Sequence, residues 1–196
     1  RANPLQRQQM RQRIAQAAAR LIAEDGIQDY AQAKRKAARQ LGAEDSRNLP
    51  GNGEVEQELR AYQNLYQREE QEDRLHELRA LALDVMTLLE PFEPRLTGSV
   101  LSGTATRHSN VNLEVRADDP KEVELFFLNR RIPYRSGEKP LRLGGETRGV
   151  PLFLLTGYSA EVEVLVLSVA DCRSLPRAAP DGSLLRARRA QVEALQ

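Results

Sequence analysis

Apolar residues recur at three- and four-residue spacing through the first 90 residues of the chain, which is the pattern of helices that bury one face. This part predicts four helices, from about Gln6 to Asp25, from Asp29 to Leu41, from Glu54 to Gln67 and from Glu72 to Leu89. The fourth has the widest apolar stripe, so we expect it to pack on a sheet. The stretch from Asn48 to Gly53 is rich in turn residues and predicts a loop.

Beyond Pro91 and Pro94 the pattern changes to short apolar runs, which predict strands. Residues 96–115 predict a strand, a glycine-bearing loop and a second strand, and further strands are expected from Ile132, over 151–157 and over 161–168. A helix is expected from Lys121 to Arg131, a loop or hairpin over 136–149, a loop over 170–182 and a last basic helix over 183–196. The predicted fold class is α+β, with an N-terminal helical region followed by strands and helices.

The amino-acid composition argues against a membrane-spanning, secreted or disulfide-bonded protein. The chain has 196 residues, of which 40% are hydrophobic and 29% charged, and no apolar run is long enough for a membrane span. The first residues are rich in Gln and Arg and lack the apolar segment of a secretory signal. Cys172 is the single cysteine, which excludes an intramolecular disulfide and a cysteine-cluster zinc site. We therefore expect a cytoplasmic protein with no membrane partner.

Charge is distributed unevenly although the whole chain carries only +1. Residues 1–50 have a net charge of +5, residues 51–95 of −6 and residues 96–196 of +2. A basic cluster on the second predicted helix contains Lys34, Arg35, Lys36 and Arg39. The basic helices either pair with the acidic block or bind nucleic acid or another protein, and the sequence leaves both alternatives open.

The glycine-bearing loop carries the most specific motif. Gly98-Ser99 follows the first strand, Gly103 comes after three more residues, and Ser109-Asn110-Val111-Asn112 follows after a further five. This spacing resembles the nucleotidyltransferase superfamily, the polymerase-beta-like and minimal nucleotidyltransferase fold, whose pattern has Gly-Ser, Gly and then Ser-Asp-x-Asp before an apolar strand. The resemblance covers roughly residues 75–168. It implies a mixed sheet flanked by helices, and three parts: a helical region over 1–70, a nucleotidyltransferase-like domain over 71–170 and a tail over 171–196.

The resemblance also implies roles for the residues of the motif. Five of them would bind a nucleoside triphosphate through backbone amides, hydroxyls and charge: Gly98, Ser99, Gly103, Arg107 and Ser109. In the family the two Asp positions hold Mg²⁺, which prefers carboxylate oxygens. Asn110 and Asn112 occupy both positions here. Since Asn is neutral and offers only a carbonyl oxygen, we expect magnesium binding to be weakened.

A third carboxylate from a neighbouring strand usually completes such a site. Glu161 and Glu163 share one face of the last strong strand by its two-residue period, and the resemblance favours Glu163 as the catalytic residue. Glu114 shares the face of Asn110 and Asn112, so it could supply a displaced metal ligand. An outward polar face of a half-buried strand would explain Glu161 and Glu163 equally.

Three functions follow. The first is a nucleotidyltransferase-fold protein that has lost metal-dependent catalysis and binds a nucleotide or acts as a regulatory module. The second is an active transferase that moves NMP from an NTP to a hydroxyl acceptor by means of Glu114, Glu161 or Glu163. The third is an adaptor that binds nucleic acid or protein through its basic N-terminal helices. The sequence leaves open whether the protein is an enzyme, and the first two functions require a nucleoside triphosphate rather than a nucleic acid.

Overall fold

The computed structural model describes residues 4–43, 49–66 and 68–196, without the side chains of residues 68 and 69. The chain forms two compact units. The first contains the residues up to Leu75 together with 104–109, and the second contains 76–103 together with 110–196. Asn48, in the predicted loop, and Gln67, the predicted end of the third helix, lie outside the described residues.

The first unit is built from helices α1 (Pro4–Asp25), α2 (Tyr30–Gln40), α3 (Asn52–Tyr66) and the start of α4 (Arg68–Leu88). Gly26, at φ +72°, ends α1 with a conformation that suits glycine. The Asp29 side chain accepts hydrogen bonds from the backbone of Ala31 and Gln32 and so caps α2. Small residues allow these helices to approach closely around a core that includes Ile14, Ala18, Ile22, Ala33, Ala37, Val55 and Leu59.

The second unit contains a five-stranded sheet with the order β1-β2-β5-β4-β3. Its elements are the rest of α4, a 3-10 turn (Glu90–Phe92), β1 (Arg95–Thr97), α5 (Gly98–Ser102), β2 (Val111–Arg116), α6 (Pro120–Asn129), β3 (Tyr134–Leu143), β4 (Glu146–Leu155), β5 (Val162–Leu167), α7 (Val169–Ser174) and α8 (Arg189–Glu193). The strands β2 and β5 are parallel and the other neighbours are antiparallel. The sheet is therefore mixed, and the predicted α+β class is confirmed.

The two faces of the sheet differ in polarity. One face is apolar and carries buried alternate residues of β2 and β5: Val111, Leu113, Val115, Val162, Val164 and Val166. Phe127 of α6 packs on this side, with its ring centroid 5.5 Å from that of Phe153 on β4. The other face carries Asn112 and Glu114 on β2 and Glu163 on β5. A candidate polar site must therefore lie on the second face.

Three element predictions need correction. Residues 98–102 form a short helix instead of a loop. The start of the predicted loop over 170–182 is helix, because it lies within α7 (Val169–Ser174). Over 136–149 the predicted hairpin is confirmed, since Gly144 and Gly145 adopt φ values of +59° and +94° and close a two-residue turn. The predicted last basic helix shrinks to Arg189–Glu193, since Ala187 is drawn into antiparallel pairing with Leu96. Pairing to a distant strand overrides local helix preference in this segment.

Candidate functional site

The Gly-Ser turn of the motif lies directly against the second strand. Thr97 pairs with Asn112, and the Thr97 hydroxyl donates a hydrogen bond of 3.3 Å to the backbone carbonyl of Asn112. Gly98 follows at φ +74°, and a Cβ atom at this position would stand 2.9 Å from Nδ2 of Asn112. Glycine is required at this turn both by its backbone angle and by the closeness of the amide.

Ser99 and Gly103 begin and end the turn that follows. Ser99 lies in the first turn of α5, and its backbone carbonyl accepts a 3.0 Å hydrogen bond from the N–H of Gly103. Gly103 adopts φ +83°, the left-handed conformation of a helix C-terminus. The two predicted glycines thus bracket one compact helical turn beside Asn112.

Asn110 forms the centre of a polar cluster with the two carboxylates of β5. Its Nδ2 lies 3.2 Å from Oε1 of Glu161 and 3.5 Å from Oε1 of Glu163. Carboxylate oxygens only accept hydrogen bonds, so the nitrogen side of the amide must face them. Asn110 therefore presents a donor to both glutamates, where an aspartate would present a third negative charge.

Two cations from β3 complete this cluster. The guanidinium of Arg135 lies 2.9 Å from Oε2 of Glu161, and the ammonium of Lys139 lies 2.6 Å from Oε2 of Glu163. The Glu163 side chain is only 18% exposed, whereas that of Glu161 is 35% exposed. Both negative charges are consequently balanced by groups of the protein itself. We call Asn110, Glu161, Glu163, Arg135 and Lys139 the β5 charge cluster.

Glu114 belongs to a different arrangement. Its two carboxylate oxygens accept hydrogen bonds of 2.6 Å and 2.9 Å from Arg186, a bidentate pair in which both side chains are largely buried. Asn112, two residues earlier on β2, pairs across the strands with Glu163. Of the predicted ligands, the structure thus brings Asn110 together with Glu161 and Glu163, and binds Glu114 to an arginine.

Arg107 and Ser109 lie in the segment 104–109, which belongs to the first unit. The Ser109 hydroxyl accepts a 2.9 Å hydrogen bond from the backbone N–H of Thr106, and the Arg107 side chain donates to the ring of His108 at 3.1 Å. The His108 ring fits against Gly26, where an added Cβ would approach it to 2.7 Å. Ser109 is therefore buried within this unit, whereas the Arg107 side chain is exposed beside His108.

The residues at the motif do not fit a magnesium ion. Mg²⁺ requires oxygen ligands, several of them charged, but Asn110 directs its nitrogen toward the carboxylates and Glu161 and Glu163 are each neutralised by a cation. Within residues 4–43, 49–66 and 68–196, no group of three or more His, Cys, Asp and Glu side chains is placed to hold a metal. Mg²⁺ is therefore not assigned to this site.

Sequence reasoning missed the partners that neutralise the cluster. Lys139 falls in the segment predicted as a loop or hairpin, and its contact with Glu163 depends on the register of the β3–β4 hairpin. Arg186 lies 72 positions from Glu114 along the chain. A single sequence contains no local signal for either pair.

The basic N-terminal cluster is partly neutralised within the first unit. Lys36 forms a 3.0 Å ion pair with Asp25, and Lys34 donates to the side-chain oxygen of Asn52 at 2.8 Å. Arg11 on α1 likewise pairs with Glu54 on α3. Pairing between the basic and acidic blocks, one of the two alternatives, therefore occurs here.

Comparison with known proteins gave a weak similarity to a solved structure. No protein-family model matches the sequence, and no curated protein matches it. A solved structure of Cid1, described as having RNA terminal uridylyl transferase activity, is similar to 50% of this chain at 19% sequence identity and a TM-score of 0.29. The matched region spans 30% of the Cid1 chain. Among the helices of the described residues, none is long and apolar enough to cross a membrane.

Proposed function

We propose that this chain is a nucleotidyltransferase-fold protein that has lost metal-dependent transfer and binds a nucleoside triphosphate as a regulatory module. Its nucleotidyltransferase-like domain would correspond to residues 71–170, between a helical region over 1–70 and a tail over 171–196. The observation that carries the proposal is the hydrogen bonding of Asn110 to Glu161 and Glu163. An amide donor occupies the position at which the family pattern has a metal-binding carboxylate.

The strand and turn geometry supports a nucleotide site at Gly98-Ser99. The turn follows β1 directly, and Gly98 keeps open a close approach to the Asn112 amide that any side chain would block. Neutral Asn112 can donate to a phosphate oxygen or a ribose hydroxyl through its amide nitrogen. The nucleotide would thus be held by backbone and amide groups of the motif.

Charge balance in the β5 charge cluster explains why a metal would not be needed. A dication in a carboxylate site lowers the repulsion between its ligands. Here the amide of Asn110 bridges Glu161 and Glu163 on one side, and Arg135 and Lys139 bind the same two carboxylates on the other. The two negative and two positive charges of the cluster therefore cancel, and its hydrogen bonds form without a metal ion.

Retained transfer is the alternative, and the same contacts disfavour it. Each carboxylate that would have to act is engaged by a cation: Glu114 by Arg186, Glu161 by Arg135 and Glu163 by Lys139. A metal ion would have to displace an arginine or a lysine from its ligand. If transfer persists through Glu163, the Glu163→Gln variant must lose it, whereas the regulatory proposal expects no transfer in either protein.

Equilibrium binding of ATP, GTP, CTP and UTP tests the proposal. The chain has no tryptophan, so calorimetry or a fluorescent nucleotide analogue is the suitable readout. We expect at least one nucleotide to bind with an affinity that changes less than about twofold between Mg²⁺ and EDTA, because no metal bridges it to the protein. A tenfold higher nucleotide affinity in Mg²⁺ than in EDTA would contradict the proposal. NMP transfer to an acceptor, or failure of all four nucleotides to bind, would also contradict it.

Two glycine variants localise the binding. Gly98→Ala places a methyl group within 2.9 Å of the Asn112 amide, whereas Gly144→Ala adds the same group at a positive φ with no other atom within 4 Å. Both variants carry similar backbone strain. A difference between them in nucleotide affinity is therefore due to the contact at the Gly98-Ser99 turn. Nucleotide binding should be lost in the first and kept in the second.

A further inference from the structure

A cleft of about 690 Å³ lies in the second unit between β1, β2, α7 and the segment around residues 175–191. Six arginines line it: Arg95, Arg116, Arg173, Arg177, Arg186 and Arg188. We propose that this cleft, here called the arginine cleft, binds a small molecule that carries two or more phosphate groups. The proposal is independent of the nucleotide site at Gly98-Ser99, because no residue of that turn lines the cleft.

Carboxylates neutralise only part of this charge. Arg186 is bound by Glu114 and Arg116 by Glu93. Among the described residues that line the cleft, these two glutamates are the only acidic ones, so six arginines face two carboxylates and the lining carries a formal charge of +4. Such an excess in a concave surface attracts anions strongly.

Backbone pairing forces two of the arginines together. Leu96 and Ala187 form an antiparallel bridge, with both N–H···O distances at 2.9 Å. Arg95 precedes Leu96 and Arg188 follows Ala187, so the antiparallel register places these two arginines opposite each other at the same end of the bridge. Like charges in directly opposite cross-strand positions are destabilising. Burial lowers the pKa of the Arg95 guanidinium, and the positive charges of Arg188 and Arg177 lower it further. An anion between these residues would relieve the repulsion.

The walls of the cleft are fixed before any ligand arrives. Arg186 grips Glu114 through two hydrogen bonds and also donates to the backbone carbonyl of Pro176. Arg177 is held at the base of a turn, where its carbonyl accepts a 3.1 Å hydrogen bond from the N–H of Leu185. Arg186 therefore acts as a positioning residue, and ligand binding would not carry the entropic cost of ordering this segment.

Size and chemistry favour a small organic phosphate. The cleft volume falls in the usual range for small-molecule sites, and Val115, Leu175 and Leu184 add apolar surface beside the arginines. Guanidinium groups match phosphate oxygens in a bidentate geometry. Since each phosphate monoester carries about −1.5 to −2 charges at neutral pH, two such groups balance the lining.

Calorimetric titration of the full chain with inorganic tripolyphosphate tests the proposal. Arg177→Gln and Arg188→Glu remove or reverse charge at exposed positions of the cleft, and each should weaken binding by about tenfold or more, as expected for the loss of a charged hydrogen bond. Arg142→Glu makes the same reversal at an exposed position outside the cleft, and we expect its affinity to change less than about twofold. Circular dichroism would show that each variant is folded; if Arg188→Glu is not, Arg177→Gln carries the test.

Gly98→Ala separates this proposal from the nucleotide site, since it should leave unchanged the part of tripolyphosphate binding that Arg177→Gln and Arg188→Glu remove. Loss of binding in Gly98→Ala with full binding in Arg177→Gln and Arg188→Glu would overturn the arginine cleft while leaving the proposed function standing. If Arg142→Glu weakens tripolyphosphate binding as much as the two cleft variants do, the attraction is non-specific and the arginine-cleft proposal is also overturned. A single-stranded RNA oligonucleotide that binds more tightly than tripolyphosphate, with a steep dependence on salt, would replace the small ligand with a nucleic acid.

Discussion

Asn110→Asp is the substitution that most directly tests the charge balance at the motif. It changes one nitrogen to oxygen and leaves the shape of the side chain almost unaltered. In the wild-type protein this nitrogen lies 3.2 Å from Glu161 and 3.5 Å from Glu163. The variant would place a carboxylate oxygen at those distances, so two hydrogen bonds become two repulsive contacts.

The magnitude follows from Coulomb's law. At these separations, two like charges repel by about 5 kcal/mol at an effective dielectric constant of about 20 and by about 1 kcal/mol in bulk water. The Glu163 side chain is mostly buried and that of Glu161 is about one-third exposed, and Arg135 and Lys139 offset part of the repulsion. We therefore expect the free energy of unfolding to fall by about 2–4 kcal/mol.

Urea denaturation at low and high salt measures this loss. Asn64→Asp, the same chemical change at an exposed position of α3, serves as the control and should alter stability by less than about 0.5 kcal/mol. Salt should reduce the deficit of Asn110→Asp because it screens the repulsion. Mg²⁺ should restore part of it in the variant and leave the wild-type protein unchanged. A deficit below about 0.5 kcal/mol for Asn110→Asp would refute the assigned role of the amide.

Three further predictions concern stability. Gly98→Ala should lower the free energy of unfolding by about 1–2 kcal/mol more than Gly144→Ala, because only the first adds a steric conflict to the strain of a positive φ. Thermal unfolding measures both, and equal losses of stability would show that the added methyl group meets no conflict with Asn112. Glu114→Gln should destabilise the protein by about 2–3 kcal/mol, since it leaves Arg186 largely buried without its counter-charge, and a double-mutant cycle with Arg186→Met should show coupling. Asp29→Ala should cost about 1 kcal/mol through the lost helix cap, measured by urea denaturation, and no change would mean that water replaces the cap.

Local patterns sufficed for the elements whose stability is local. The apolar stripe of α1, the start of α2 at Asp29 and the start of α6 near Lys121 were predicted and are present, because helix ends and helical faces depend on residues a few positions apart. The two-residue alternation of β5 was likewise visible. These features are encoded within a single turn or strand, so one sequence is enough to find them.

The strand order and the charge partners could not be predicted in the same way. Arg135 and Lys139 can reach the carboxylates of β5 only because the β3–β4 hairpin lies beside β5. Leu154 of β4 pairs with Arg135 on one side and with Glu163 on the other. Residues 136–149 are polar and glycine-bearing, and in isolation they read equally well as a loop. The Asn positions of the motif were evident, but their neutralising partners lie in parts of the chain joined only by tertiary pairing.

The bridge between Leu96 and Ala187 has a consequence for the order in which the protein assembles. The strand that leads into Gly98-Ser99 is three residues long, and on its outer edge it is paired by a residue 91 positions later in the chain. Its inner neighbour β2 likewise cannot complete its pairing until β5, which comes later in the chain, has been synthesised. During synthesis from the N-terminus, the motif therefore stays incomplete long after its own residues have emerged, and the proposed nucleotide binding is expected to appear late and in one step.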